Sequence, residues 1–154
     1  MTMDEIIAYV SGLDDGVLVL RPRPGDGTPE IAWGDAFFYH SPDGSVPTAV
    51  QPFATIVTKD YPDDLSSRLD RPDTFRLNVH VSKDDFARLT GHRPREAGAA
   101  GADPSAPDTV FPHPLYGTMG WLSIVNPGPR TGDLARELLR KAHETARSRY
   151  ERRA

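Results

Sequence analysis

FRLNVHV, residues 75–81, is the stretch on which the fold turns. Phe75, Leu77, Val79 and Val81 alternate with Arg76, Asn78 and His80. In an extended chain successive side chains point to opposite faces. One face is therefore apolar and belongs against a core. The other presents a guanidinium, a carboxamide and an imidazole in a row. Strands with two such faces belong to antiparallel sheets covered on one side. The polar row then either meets water or floors a pocket.

Upstream of this strand, Thr2 and Glu5 have capping-box spacing, and Met3, Ile6, Ile7, Val10 and Leu13 recur at helical intervals. Residues 3–12 are thus predicted as a helix ending near Gly12. VLVLRP (17–22) reads as a strand and RPGDGTPE (23–30) as a turn-rich connection. Ile31–Trp33 and Ala36–His40 read as one strand or two short ones, closed by the turn SPDG. FATIVTK (53–59) is a β-branched strand, and residues 60–73 are irregular with one helical turn around Asp64–Leu69.

Downstream, Ser82 caps a short helix, KDDFARLT, which Gly91 stops. Residues 91–110 carry Val110 as their one large apolar side chain and are rich in Ala, Gly and Pro. A stretch of that length and composition reads as a flexible loop or a lid. MGWLSIV (119–125) is a buried strand by its continuous apolar run. A final amphipathic helix covers about residues 132–151, with Leu134, Ala135, Leu138, Leu139, Ala142, Ala146 and Tyr150 on one side. Short connections between the early strands favour antiparallel pairing. The expectation is a single α+β domain over residues 1–154, mainly an antiparallel sheet with helices packed on one face.

Composition narrows the function classes. At 154 residues the chain has the size of one domain with one core. Cysteine is absent, so disulfides and thiolate metal sites are ruled out. The acidic start MTMDEIIAYV is no signal peptide, and no apolar run spans a bilayer. The expectation is a cytoplasmic protein without a membrane partner, monomeric or homodimeric. Fifteen arginines against three lysines, with much Ala, Gly and Pro, is the bias that GC-rich codons produce. Charge is uneven along the chain: residues 1–129 carry 10 basic and 18 acidic side chains, and residues 130–154 carry 8 and 4.

Four blocks carry a family resemblance: WGDAFFYH (33–40), PFATIVTKDYP (52–62), LDRPDTFRLNVHV (69–81) and FPHPLYGTMGWLSIVNPGPRT (111–131). In that order they resemble a family of uncharacterised bacterial proteins common in actinobacteria, domain-of-unknown-function family 6194. The resemblance spans nearly the whole chain apart from residues 91–110. More remotely, the order of elements is similar to the YjbR-like family, where a late strand feeds a terminal helix, as in residues 119–146 here. Members of that wider group are often labelled DNA-binding-like. The closer family implies no activity.

The candidate site is the polar strand face, Arg76, Asn78 and His80, with Trp33, Asp35, Tyr39, His113, Tyr116 and Trp121 around it. Pro112 and Pro114 stiffen the segment that carries His113. Polar groups amid aromatics, with no nucleophile elbow, point to a non-enzymatic module binding a small molecule or a protein partner. The alternative is a metal-independent enzyme with His80 or His113 as general acid or base. A third reading is nucleic-acid binding through Arg136, Arg140, Arg147, Arg152 and Arg153 of the terminal helix. Acidic residues elsewhere and Glu–Lys pairing on that helix speak against it. No cofactor is expected. The five histidines form neither H-x-H nor H-E-x-x-H, so a metal site would need ligands distant in sequence.

Overall fold

The computed structural model describes residues 1–153. Helix α1 (Met3–Ser11) precedes strands β1 (Val17–Leu20), β2 (Ala36–His40), β3 (Ala54–Val57) and β4 (Arg76–His80). Helix α2 (Lys83–Thr90) follows, then β5 (Val110–Pro112), β6 (Trp121–Val125) and α3 (Gly132–Arg153). The six strands form one fully antiparallel sheet in the order β1-β2-β3-β4-β6-β5. The fold class is α+β, as the alternation in residues 75–81 requires.

Helix termini follow the capping chemistry. The Thr2 hydroxyl accepts from the Glu5 amide at 3.1 Å, and the Glu5 carboxylate accepts from the Thr2 amide at 3.0 Å. Ser82 accepts from Asp85 at the start of α2, and Gly91 ends that helix with φ +78°.

All three helices cover one face of the sheet. Ile6 and Val10 of α1, Phe86 of α2, and Ala135, Leu138 and Leu139 of α3 pack there. They meet Phe38, Ile56, Leu77, Val79, Leu122 and Ile124. These strand residues share a face because the register pairs Ile56 with Leu77, Leu77 with Ile124, and Val79 with Leu122. The same register sets Thr55, Asn78, Ser123 and Phe111 in a row across β3, β4, β6 and β5 on the opposite face. That second row positions the site.

Four local readings change. Ile31 and Ala32 form a single 3-10 turn between Pro29 and Gly34, whose φ of +89° breaks extended pairing with Ala36–His40. Asp64–Leu69 contains no helix: Tyr61 and Asp64 form an isolated bridge, and isolated turns follow, one closed by the Arg68 amide on the Leu65 carbonyl, with Arg68 at φ +54°. Within residues 91–110, Pro94–Ala100 forms 3-10 turns, and Ala97 packs against the main core. Val110–Pro112 is a strand, and β6 begins at Trp121 because Gly117–Met119 makes a 3-10 turn ending on Gly120 at φ +90°.

Candidate functional site

The helix-free face of the sheet is a groove enclosing about 1240 Å³. Its lining includes Phe37, Tyr39, Thr55, Tyr61, Arg76, Asn78, His80, His113, Tyr116, Met119 and Trp121. It continues past the end of β4 to Lys141, Thr145 and Arg149 of α3. Residues 91–110 contribute nothing to the lining. The segments that rise over the polar row are 60–73 on one side and Pro112–Tyr116 on the other.

Arg76 is 1% exposed, and each of its nitrogens lies against a partner of the protein itself. Its Nε donates to Asn78 Oδ1 at 2.8 Å. Nη1 donates to Asp64 Oδ1 at 3.1 Å and to Ser67 Oγ at 3.0 Å. Nη2 donates to Asp64 Oδ2 at 2.6 Å and lies 3.1 Å from His113 Nε2. This fork-on-fork pair is the geometry that makes an arginine tolerable in a buried place. Burial works to raise the Asp64 carboxyl, but the Arg76 bonds and charge outweigh it and hold it below its ordinary range. The guanidinium therefore stands as one half of a neutral pair, with its donors turned to the protein rather than to the groove.

His113 is held from both sides. Its Nδ1 accepts from the amides of Leu115 and Tyr116 at 3.0 and 3.1 Å, while Nε2 faces Arg76. Pro114 places the ring for this by keeping residue 113 extended, so the following turn folds its amides back onto Nδ1. An imidazolium has no lone pair and would meet three donors with nothing to offer them. Burial, and then the Arg76 charge, push His113 down to about 4. It is an uncharged part of the scaffold, with its one lone pair and its one N–H both turned to the protein itself.

Asn78 extends the network. Its Oδ1 also accepts from the Ser123 hydroxyl at 2.7 Å, and its Nδ2 donates to Thr55 Oγ1 at 3.0 Å. One Nδ2 hydrogen and the Thr55 hydroxyl proton remain without a partner among the described residues. His80 lies at the end of the row. Its Nε2 is 3.1 Å from the Met119 carbonyl, which assigns the proton there and leaves Nδ1 as an acceptor. Burial lowers its pKa against the pull of that carbonyl, and its ring lies 5.5 Å from that of Trp121. Tyr39, Tyr116 and Trp121 supply aromatic wall on the same face.

Trp33 and Asp35 lie elsewhere and do not line the groove. Trp33 Nε1 donates to the Thr28 carbonyl at 3.3 Å. Asp35 is fully buried and accepts from the Thr58 amide and hydroxyl, Lys59 Nζ and the Tyr61 hydroxyl at 2.5–2.9 Å. Its bond to Tyr61 reaches the groove only indirectly, by fixing that ring in the wall. Burial, reinforced by the Asp35 carboxylate, pushes the Tyr61 phenol pKa up.

Sequence reasoning missed Asp64, Ser67, Thr55 and Ser123. One signal was present: an arginine in a core-flanking strand needs a carboxylate, and the acid-rich 60–73 segment directly precedes it.

A family model described as a family of unknown function, DUF6194, matches residues 1–154. The chain belongs to that family. No curated protein and no solved structure matches it. The resemblance seen in the four sequence blocks is thereby met by a match along the full length, and the match carries no assigned activity for the members.

Proposed function

We propose that this DUF6194 chain is a binding module whose groove takes a flat, uncharged aromatic or heteroaromatic small molecule. One observation carries the reading: the groove floor is polar, yet its buried cation, Arg76, is neutralised by Asp64 and its buried histidine, His113, is uncharged. Over this floor a strongly charged group would find no unpaired counter-charge; Arg149, at the α3 end of the groove, has no ion pair among the described residues and lies away from the floor. A planar ligand would find Tyr39 and Trp121 to stack on, donors at Asn78 and Thr55, and an acceptor at His80 Nδ1. The catalytic reading keeps one specific support, the open Nδ1 of His80 as a base. His113 has no comparable nitrogen.

The terminal helix offers less to nucleic acid than its sequence suggests. Arg136, Arg140, Lys141 and Arg147 are each paired with an acidic side chain. Partner type and oligomeric state rest on the groove alone in this reading. We place the protein in the cytoplasm of a high-GC bacterium on its arginine bias and lack of cysteine. The YjbR-like kinship rests on the order of elements. Among the described residues no helix is long and apolar enough to cross a membrane.

The test is a thermal-shift screen of aromatic and heteroaromatic metabolites on EDTA-treated protein. Hits are expected to lose at least ten-fold in affinity in Tyr39→Ala and in His80→Ala, and about three-fold or more in Thr55→Val, from one lost hydrogen bond. Hits whose stabilisation is unchanged in all three variants would remove the groove as the site.

A further inference from the structure

Beyond the polar floor, three residues distant in sequence converge at the end of β2. Asp14 comes from the turn between α1 and β1, His40 from the last residue of β2, and His143 from the middle of α3. One ligand atom from each lies within 4.8 Å of the others. We propose that Asp14, His40 and His143 form a binding site for a divalent first-row transition-metal ion of the kind imidazole prefers, such as Zn²⁺ or Co²⁺.

The geometry fits the donor set. His143 Nε2 and His40 Nδ1 are 3.3 Å apart. Zn–N bonds of about 2.0–2.1 Å place two tetrahedral ligand atoms roughly that far from each other. Asp14 Oδ2 stands 3.9 Å from His143 Nε2, within reach of the same centre after a small side-chain rotation. Two imidazoles and one carboxylate make the three-ligand set that leaves further positions open. Two facing ring nitrogens can otherwise satisfy each other only by sharing one proton.

The surroundings hold these atoms in place. The Gly16 amide donates to Asp14 Oδ1 at 2.7 Å, which turns Oδ2 toward the histidines. A side chain at position 16 would bring its Cβ within 2.6 Å of His40 Cε1, so the turn admits the imidazole only as glycine. The Tyr150 ring meets His40 edge-on at 5.2 Å, and the Phe53 ring meets His143 at 5.7 Å. An apolar shell of this kind excludes water and strengthens ligand bonds. Arg147 Nη1, 3.0 Å from Asp14 Oδ2, is the competitor. Its side chain is half-exposed and keeps Glu151 as a second partner at 2.8 Å, so it can yield the carboxylate. His40 also lines the groove, which puts the ion at that end of it. The site shares no ligand with the polar floor and stands or falls separately from the proposed function.

Titration of Co²⁺ into the metal-stripped full chain tests this. The expected result is one equivalent bound with the visible bands of low-coordinate Co²⁺, displaced by Zn²⁺, and a thermal midpoint that rises with either metal. Asp14→Asn, which keeps an oxygen for the Gly16 amide, and His143→Gln should each weaken binding at least ten-fold. Their melting in EDTA reports separately on folding. Absence of both the bands and the thermal gain in the unaltered chain overturns the site. So does binding that survives in both variants, which would locate the ion at another histidine such as His92.

Discussion

At the scale of the residue, Arg76 shows why a polar strand face need not be a functional one. Four of its five donors end on protein acceptors and the fifth faces the His113 ring, and the carboxylate that balances it lies twelve residues earlier. Removing that carboxylate leaves a bare charge in a dry place. Asp64→Ala is expected to destabilise the fold by about 3–5 kcal/mol, measured by urea denaturation at pH 7. Replacing Arg76 and Asp64 together with apolar residues of similar volume should recover most of the loss. If the double variant is no better than the single one, the pair is not what the aspartate supports.

At the scale of the element, the Pro-Gly-Pro turn before α3 resembles an anion nest, and the chain fills it. Asp108 accepts from the amides of Gly128, Arg130 and Thr131 at 2.8–2.9 Å and from the Thr131 hydroxyl at 2.6 Å. Burial works to raise its pKa, but these bonds prevail and hold it down to about 2. Asp108→Asn is expected to cost about 1–3 kcal/mol, read as a lowered urea midpoint, since a carboxamide oxygen is the weaker acceptor.

The same scale shows what the amino-acid order disclosed. The period-two alternation of residues 75–81 and the caps at Thr2, Ser82 and Gly91 are local signals, and both carry through to β4, α1 and α2. β5 escaped because three residues ending in a proline carry no periodicity, and only pairing with β6 makes them a strand. Trp33 and Asp35 looked like site residues because an aromatic beside a carboxylate has no local mark separating core from pocket. Asp64, Thr55 and Ser123 reach Arg76 and Asn78 only through the register of the sheet and the bends of residues 60–73, which depend on tertiary packing.

At the scale of the whole molecule, burial of neutral histidines makes the fold acid-sensitive. His80 and His113 both have pKa values below the ordinary 6.5. Between about 4 and 6.5 the unfolded chain therefore binds more protons than the folded one, so stability falls as pH falls. His113 alone contributes a slope approaching about 1.4 kcal/mol per pH unit within that window. Thermal midpoints recorded from pH 7 to 4 in EDTA should decline, and the decline should be shallower in His113→Gln. An unchanged slope in that variant would assign the sensitivity to other groups.

The bends of residues 60–73 also decide where this protein can be cut or extended. By composition that connection looks like the natural place for a tag or a protease site. Its Asp64 and Ser67 are wedged onto the sheet, and Asp60 binds the Leu69 amide at 2.8 Å. An insertion there would unplug the guanidinium from its counter-charge. The exposed turn around Gly25 and Gly27, where the glycines meet no atom within 4 Å, is the place to open the chain.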